Sequence, residues 1–356
     1  MEAVGVENGP EVIPVRPDED LDRERLASYL VSRLAGAEGP MEVSQFAGGH
    51  ANLTYQLRFG STEYVLRRPP LGPVAPTSHD MGREYRVLST LWSAFPLAPR
   101  AYLHCDDLSV IGTEFFIMER RHGVVVRDQV PAVFGGGADP VANRQLSEVV
   151  IDTLADFHAV DPAEAGLGDL GHPEGFLERQ VGGWIERFRR ASTTPIPVAD
   201  ELASWLPARI PDSPAPTLVH NDWRLDNMAV HPDDPARCVA VYDWDMTTRG
   251  DPMADLGTLL AVWYRADEIP SALNPMPTTV PGFMDRDAAA HRYAKGSGRD
   301  LADLPWYVVF GSFKMAVILQ QIHLRWLHGQ TRDARFATMG DAADQLFRLA
   351  ADRRPT

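Results

Sequence analysis

At 356 residues, with 44% hydrophobic and 23% charged residues, the chain is long enough for two lobes with cores of their own and has the balance of an ordinary globular protein. Its formal net charge of −15 argues against nucleic acid and anionic membrane as partners, both of which attract basic proteins. No stretch is expected to reach the ~20 apolar residues of a membrane span, and the start "MEAVGVENGPEVIPVRPDEDLD" lacks the basic and apolar regions of a signal peptide, so a cytoplasmic location is expected.

Residues 1–17 are expected to form a flexible leader. Leu21, Leu26, Leu30 and Leu34, after an acidic first turn, predict a helix over 18–34. Strands are predicted over 41–46, ending at Gly48-Gly49, over 53–59, and over 63–68 after a Gly60-Ser61 turn. The loop "PPLGPVAPTSH" breaks structure, an amphipathic helix is predicted over 81–92, and "AYLHC" and 114–119 have strand length. Residues 18–120 therefore read as a small antiparallel sheet with a helix inserted after its third strand. From 121 to 356 the pattern is mainly helical, with helices expected over 144–160, 173–191, "PMADLGTLLAVWY", 285–295, 305–329 and 333–352. A short β insert (217–219, 228–230, 239–242) interrupts them, and 266–283 is Pro-rich and irregular. Cys105 and Cys238 sit in apolar runs without metal-ligand spacing and are expected as buried, reduced thiols.

The β insert carries the chemistry, in "VHNDWRLDNMAV" (219–230) and "VAVYDWDMTTRGDP" (239–252). Asp222 and Asn227 lie five residues apart on one loop, and Asp243 follows 16 residues later at a strand end. Phosphoryl transfer needs such a set: a carboxylate to orient the attacking hydroxyl and accept its proton, and oxygen ligands for Mg²⁺. Asp222 is then the base, and Asn227 and Asp243 are the metal ligands. His220 reads as a backbone brace and Asp226 as a solvated loop residue. Asp245 reads as a further carboxylate near the metal or as a helix N-terminal charge. Asp251 and Asp255 read as cap and brace of the next helix, with Asp251 the one placed to steady the catalytic loop. In "FAGGHANLTYQL" (46–57), Gly48 and Gly49, followed by His50, form a strand-turn-strand element whose backbone N–H groups can approach phosphate.

"HNDWRLDN" (220–227), "YDWD" (242–245) and "GDPMADL" (250–256) resemble, in order and spacing, the His-Gly-Asp-x-x-x-x-Asn, Ile-Asp-Trp-Glu and Asp-Pro-x-x-Asp-Leu motifs of the aminoglycoside phosphotransferase-like branch of the kinase-like fold. Asn221 stands where that family has glycine, and Asp245 where it has glutamate. "YVLRRPP…REYRVL" is similar to a subgroup that includes kinase-like domains fused to acyl-CoA dehydrogenases; the resemblance covers roughly 40–330. It implies an α+β, two-lobed protein-kinase-like fold, with ATP and Mg²⁺ as cofactors and a small-molecule hydroxyl as phosphate acceptor. In that fold a cation on the third strand grips the α/β-phosphates and a glutamate on the next helix holds it. The only lysines are Lys295 and Lys314, so Arg67 takes the role, with Glu84 as partner. Strand alternation puts Val65 beside Arg67, against adenine, and turns Arg68 away. "FFIMERRHG" (115–123) matches the hinge, with backbone groups of Glu119 and Arg121 reading adenine's edge and Met118 lining the pocket.

Two other readings compete. One is a hydrolase with a metal cluster of His220, Asp222, Asp243 and Asp245; the other is a non-catalytic nucleotide binder. The acceptor, an aminoglycoside or a hydroxyacyl thioester, is expected near 266–283 and the late helices, where Trp263, Tyr264, His323 and Trp326 are contacts or core aromatics.

Overall fold

The computed structural model describes residues 11–47, 52–71, 80–270, 276–331 and 333–355. It divides into two compact units: residues up to His122 with Ala165–Leu167 and Ala240–Asp245, and Gly123–Glu164, Gly168–Val239 and Met246–Thr356.

In the first unit β1 (Val12–Ile13) is followed by α1 (Arg23–Leu30), β2 (Met41–Phe46), β3 (Leu53–Phe59), β4 (Thr62–Arg68), α2 (Met81–Leu91), β5 (Ala101–Cys105), the short α3 (Leu108–Ile111) and β6 (Phe115–Glu119). The strands form one antiparallel sheet in the order β1-β2-β3-β4-β6-β5. Val12 and Ile13, expected within a flexible leader, instead pair with Phe46 and Gln45 and extend the sheet. Residues 1–10 of that leader lie outside the described residues. The predicted helix over 18–34 is shorter than its apolar spacing suggested, because Asp22 caps it at Arg25 and a 3₁₀ turn precedes it at Pro17–Glu19.

Alternation sorts this sheet's two faces. Tyr55, Leu57 and Leu66 point one way and join Leu26, Leu30, Phe115 and Ile117 in a core of fully buried side chains. Val65 pairs with Met118 and Arg67 with Phe116, so these four share the opposite face.

The second unit contains β7 (Val124–Val125), α4 (Pro140–His158), α5 (Phe176–Ala191), α6 (Pro197–Trp205), β8 (Thr217–Val219), β9 (Met228–His231), β10 (Asp234–Val241, whose last residues pass into the first unit), β11 (Thr248–Gly250), α7 (Pro252–Ala261), α8 (Arg286–Ser297), α9 (Leu304–Leu327) and α10 (Met339–Asp352). Local chemistry sets several helix starts. Asp139 and Asp251 accept N–H bonds from the first turns of α4 and α7, each with proline at the first helical position. α6 and β11 were not predicted: α6 is short, and "TRG" has no apolar pattern. β11 nonetheless pairs with β8 in the register Thr248↔Val219, Leu218↔Arg249, Thr217↔Gly250. The strand that enters the 220–227 loop is thereby tied to the one that enters α7.

α9 is the core helix of this unit. Contrary to the sequence expectation, it is long and apolar enough to cross a bilayer, but most of that apolar stretch is buried within the unit. Its partner α7 approaches without side chains between the two backbones. A Cβ on Gly257 would lie 2.4 Å from Tyr307 Cβ, and one on Gly311 would lie 2.7 Å from the Gly257 carbonyl oxygen. Of the cysteines, Cys105 is buried as expected, whereas Cys238 is half-buried.

Candidate active site

In the second unit, buried apolar side chains pin the loop after β8. Trp223 and Leu225 are almost fully buried, and the Trp223 indole donates to the Val150 carbonyl at 3.0 Å and stacks on Phe157. Asp222 and Asn227 stay half-buried between these anchors. The Asn227 amide nitrogen donates to both the backbone carbonyl and the Oδ2 carboxylate oxygen of Asp222, each at 2.9 Å. That clamp fixes the Asp222 carboxylate and leaves Oδ1 as the amide atom suited to a hard cation. His220 is fully buried, and its Nδ1 accepts the Asp222 N–H at 3.3 Å, the bracing role expected of it. Asp226 is not simply solvated: it forms a two-point ion pair with Arg224 at 2.8 and 2.6 Å.

The loop is held from below by Asp255, a role the sequence had offered for Asp251 beside its capping role. Asp255 Oδ2 accepts the His220 N–H at 2.6 Å and Oδ1 accepts the Asn221 N–H at 2.7 Å. Asp251 caps α7 through Met253 N–H and accepts the Tyr307 hydroxyl at 2.7 Å. Burial pushes the Asp255 carboxyl up, but His158 and the His220 amide outweigh it and hold the group below its ordinary range. His158 Nε2 lies 3.3 Å from Asp255 Oδ2, and its Nδ1 lies 2.7 Å from the Tyr293 hydroxyl. Burial depresses the His158 pKa, against the pull of Asp255. Asn221 takes a φ of +68°, which explains why the family pattern has glycine there; asparagine is among the few other residues that tolerate it.

In the first unit the sheet face bearing Val65 also presents Arg67. Its Nε lies 3.0 Å from Glu84 Oε2, and its Nη2 donates to Asp243 Oδ1 at 2.5 Å. Glu84 comes from the first turn of α2 and is 1% exposed. Burial pushes its carboxyl up to about 8; Arg67 pulls the other way, and Asp243 and Asp245 add to the push. Arg67 loses to burial but gains more from these three carboxylates, and its pKa rises, so it is held charged. Asp243 also has a left-handed backbone, φ +64°, on a turn anchored by the buried Trp244, whose indole donates to the Val241 carbonyl at 2.7 Å. The Asp245 carbonyl accepts from Arg83 at 3.3 Å. Asp243 keeps a second carboxylate oxygen beside the one that meets Arg67.

The remaining expectations divide. Val65 and Met118 are buried neighbours on the Arg67 face. Glu119 and Arg121 are not wholly free to read a ligand edge: the Glu119 amide donates to the Arg100 carbonyl at 2.8 Å, and the Arg121 carbonyl accepts the Tyr242 hydroxyl at 3.4 Å. Gly48, Gly49 and His50 lie outside the described residues. Trp263 is a core residue, its indole donating to the Met284 carbonyl at 2.7 Å, and His323 stacks on Trp326 while facing the Phe336 carbonyl. Tyr264 is buried, and among the described residues its hydroxyl has no hydrogen-bond partner. Among the described residues no group of three or more His, Cys, Asp or Glu side chains is placed to hold a metal.

An antiparallel sheet that carries a charged pair on one face, and a helical unit that braces an Asp–Asn loop from a buried carboxylate, are the two halves of a protein-kinase-like α+β fold. The chain belongs to the phosphotransferase enzyme family, which matches residues 42–306. It is similar to acyl-CoA dehydrogenase family member 11 of Gallus gallus, with 34% identity over 331 residues, 90% of this chain and 42% of that protein. The chain spans between 32% and 44% of the length of such curated relatives. Among solved structures, a Ralstonia eutropha protein provisionally named an aminoglycoside phosphotransferase is similar with TM-score 0.80 and 31% identity, over 94% of this chain and 98% of that one. A thermostable mutant of the aminoglycoside phosphotransferase APH(4)-Ia, in ternary complex with ADP and hygromycin B, shares the fold with TM-score 0.59 and 15% identity, over 93% of this chain and 99% of that one.

Proposed function

We propose that this protein is an ATP- and Mg²⁺-dependent kinase that moves the γ-phosphate to a hydroxyl of a small molecule. Asp222 accepts the hydroxyl proton as the acceptor oxygen bonds to the γ-phosphorus and the bond to the β–γ bridging oxygen breaks, releasing ADP. Asn227 Oδ1 and the Asp243 carboxylate are the protein ligands of Mg²⁺, which when bound neutralises the polyphosphate. Arg67, oriented by Glu84, grips the α/β-phosphates as a planar fork. Val65 and Met118 flank adenine, while the Glu119 carbonyl and the Arg121 amide are the hinge groups that read it.

The observation that carries this reading is the clamp on Asp222, two 2.9 Å bonds from one amide, which holds a base in a single orientation. The acceptor class has two supports that point differently. The net charge of −15 suits a cationic aminoglycoside, whereas the acyl-CoA dehydrogenase relatives suit a hydroxyacyl thioester. ADP release measured across a panel of hydroxylated metabolites, hydroxyacyl thioesters and aminoglycosides separates them. Asp222→Asn is expected to lower kcat on the best acceptor by about 10²–10⁴-fold. A variant as active as the parent would overturn the assignment of the base.

A further inference from the structure

Among the described residues, Asp255 has no Lys or Arg, and Lys314 no Asp or Glu, within ion-pair distance, although both are buried in the second unit. Asp255 is 1% exposed, and among the described residues its hydrogen-bond partners are two backbone amides and the His158 ring. Lys314, one of two lysines in the chain, points from α9 and is 6% exposed. Its ammonium makes one hydrogen bond, to Thr258 Oγ1 at 3.3 Å, and lies 5.7 Å from the Trp184 ring centre and 5.9 Å from that of Phe310. Among the described residues it forms no ion pair. A buried ammonium with three protons and a single long hydrogen bond is costly unless a carboxylate nearby compensates it.

The helix geometry supplies that carboxylate. Thr258 is three residues after Asp255, so the two share a face of α7. The glycine contact between Gly257 and Gly311 lets α9 lie directly on α7. We propose that Lys314 is a positioning residue: its ammonium is the counter-charge of Asp255, and through the Asp255 bonds to the His220 and Asn221 amides it holds the loop that presents Asp222. This rests on the kinase reading for its catalytic consequence, but not for the charge pairing.

The surroundings are consistent with a charged lysine. Burial, with Arg187 of α5 adding to it, outweighs the pull of Asp255 of α7 and Asp222 of the loop, so the ammonium's pKa lies below its ordinary value while the two carboxylates limit the fall. The faces of Trp184 and Phe310 favour a cation between them.

The test is a double-mutant cycle on the full chain with Lys314→Met, Asp255→Asn and both together, and Lys314→Arg as the conservative variant. Urea midpoints read the pairing without any need for activity. Lys314→Met is expected to lower the midpoint in the parent and to lower it much less, or raise it, in the Asp255→Asn background. Hydrogen exchange at the His220 and Asn221 amides should quicken in Lys314→Met and return toward the parent rate in Lys314→Arg. In kinetics, Lys314→Met should lower kcat about 10-fold or more, in keeping with the coupling seen between neighbouring charged groups, with KM for ATP nearly unchanged. Strictly additive midpoints, or Lys314→Met with parental exchange and kcat, would overturn the proposal. A parent that releases no ADP with any acceptor would instead overturn the kinase reading, and the stability cycle would still decide the pairing.

Discussion

The two buried carboxylates that orient functional groups behave oppositely. Asp255, in the helical unit, is stabilised as an anion by two backbone amides at 2.6 and 2.7 Å and by His158, and its pKa falls. Glu84, in the sheet unit, has Arg67 at 3.0 Å but shares that guanidinium with Asp243, and burial drives it up to about 8. Backbone donors cannot leave, so Asp255 fixes a loop. An arginine shared between two carboxylates is a balance of charges that a bound polyphosphate can redistribute. The proposed base is thus built into rigid scaffolding, whereas the proposed phosphate grip is built from exchangeable ion pairs.

Amide substitutions should separate the two most strongly. Asp255→Asn removes a buried charge from its donors, keeps one acceptor oxygen, and turns an N–H toward donors; a loss of about 3–5 kcal/mol in unfolding free energy is expected, measured by urea denaturation. Glu84→Gln replaces a carboxyl that burial already drives toward neutrality, and about 1 kcal/mol is expected. Equal losses in the two variants would erase the contrast.

Arg67→Met should weaken ATP binding by about 10–100-fold, the range of a charge-assisted contact, while the Asp222–Asn227 clamp persists. Calorimetric titration with ATP reads this, and an unchanged affinity would remove Arg67 from the phosphate grip.

The smallest effect comes from pH. The folded-state pKa of His158 lies below 6.5, so as pH falls past 6.5 the unfolded chain takes up a proton that the folded chain does not. Stability should therefore decline on acidification below that value, by at most about 1.4 kcal/mol per pH unit from this group. Urea midpoints between pH 7.5 and 5.5 should fall, and fall less steeply in His158→Gln. A decline just as steep in the variant would assign it to other groups.

Features written within a few residues were legible before any coordinates. The Asp222–Asn227 spacing, the shared face of Val65 and Arg67, and the antiparallel strands from 41 to 68 depend on local periodicity and loop length. Features made by backbone partners were not. Nothing about Asp255 as a letter in the chain says that it bonds the amides of residues 34 and 35 positions earlier. Loop bracing was offered only as a second role for Asp251, which does the local work of capping α7 that its position announces. The left-handed turn at Asn221 carried a readable signal, because a position that accepts glycine or asparagine is a position of positive φ. The left-handed turn at Asp243 carried none. β11 and the pairing of Val12–Ile13 came from tertiary register that a polar tripeptide and a two-residue strand do not announce. Lys314 was visible only as a rarity, one of two lysines in the chain.

The central claim is that Asn227 and Asp243 hold Mg²⁺ on ATP. Calorimetry of ATP binding with and without Mg²⁺, in the parent and in Asp243→Asn, tests it most directly. Binding should tighten markedly with Mg²⁺ in the parent, and that gain should vanish in the variant. A parent that binds ATP equally well in both conditions, or a variant that keeps the full gain, would contradict the account.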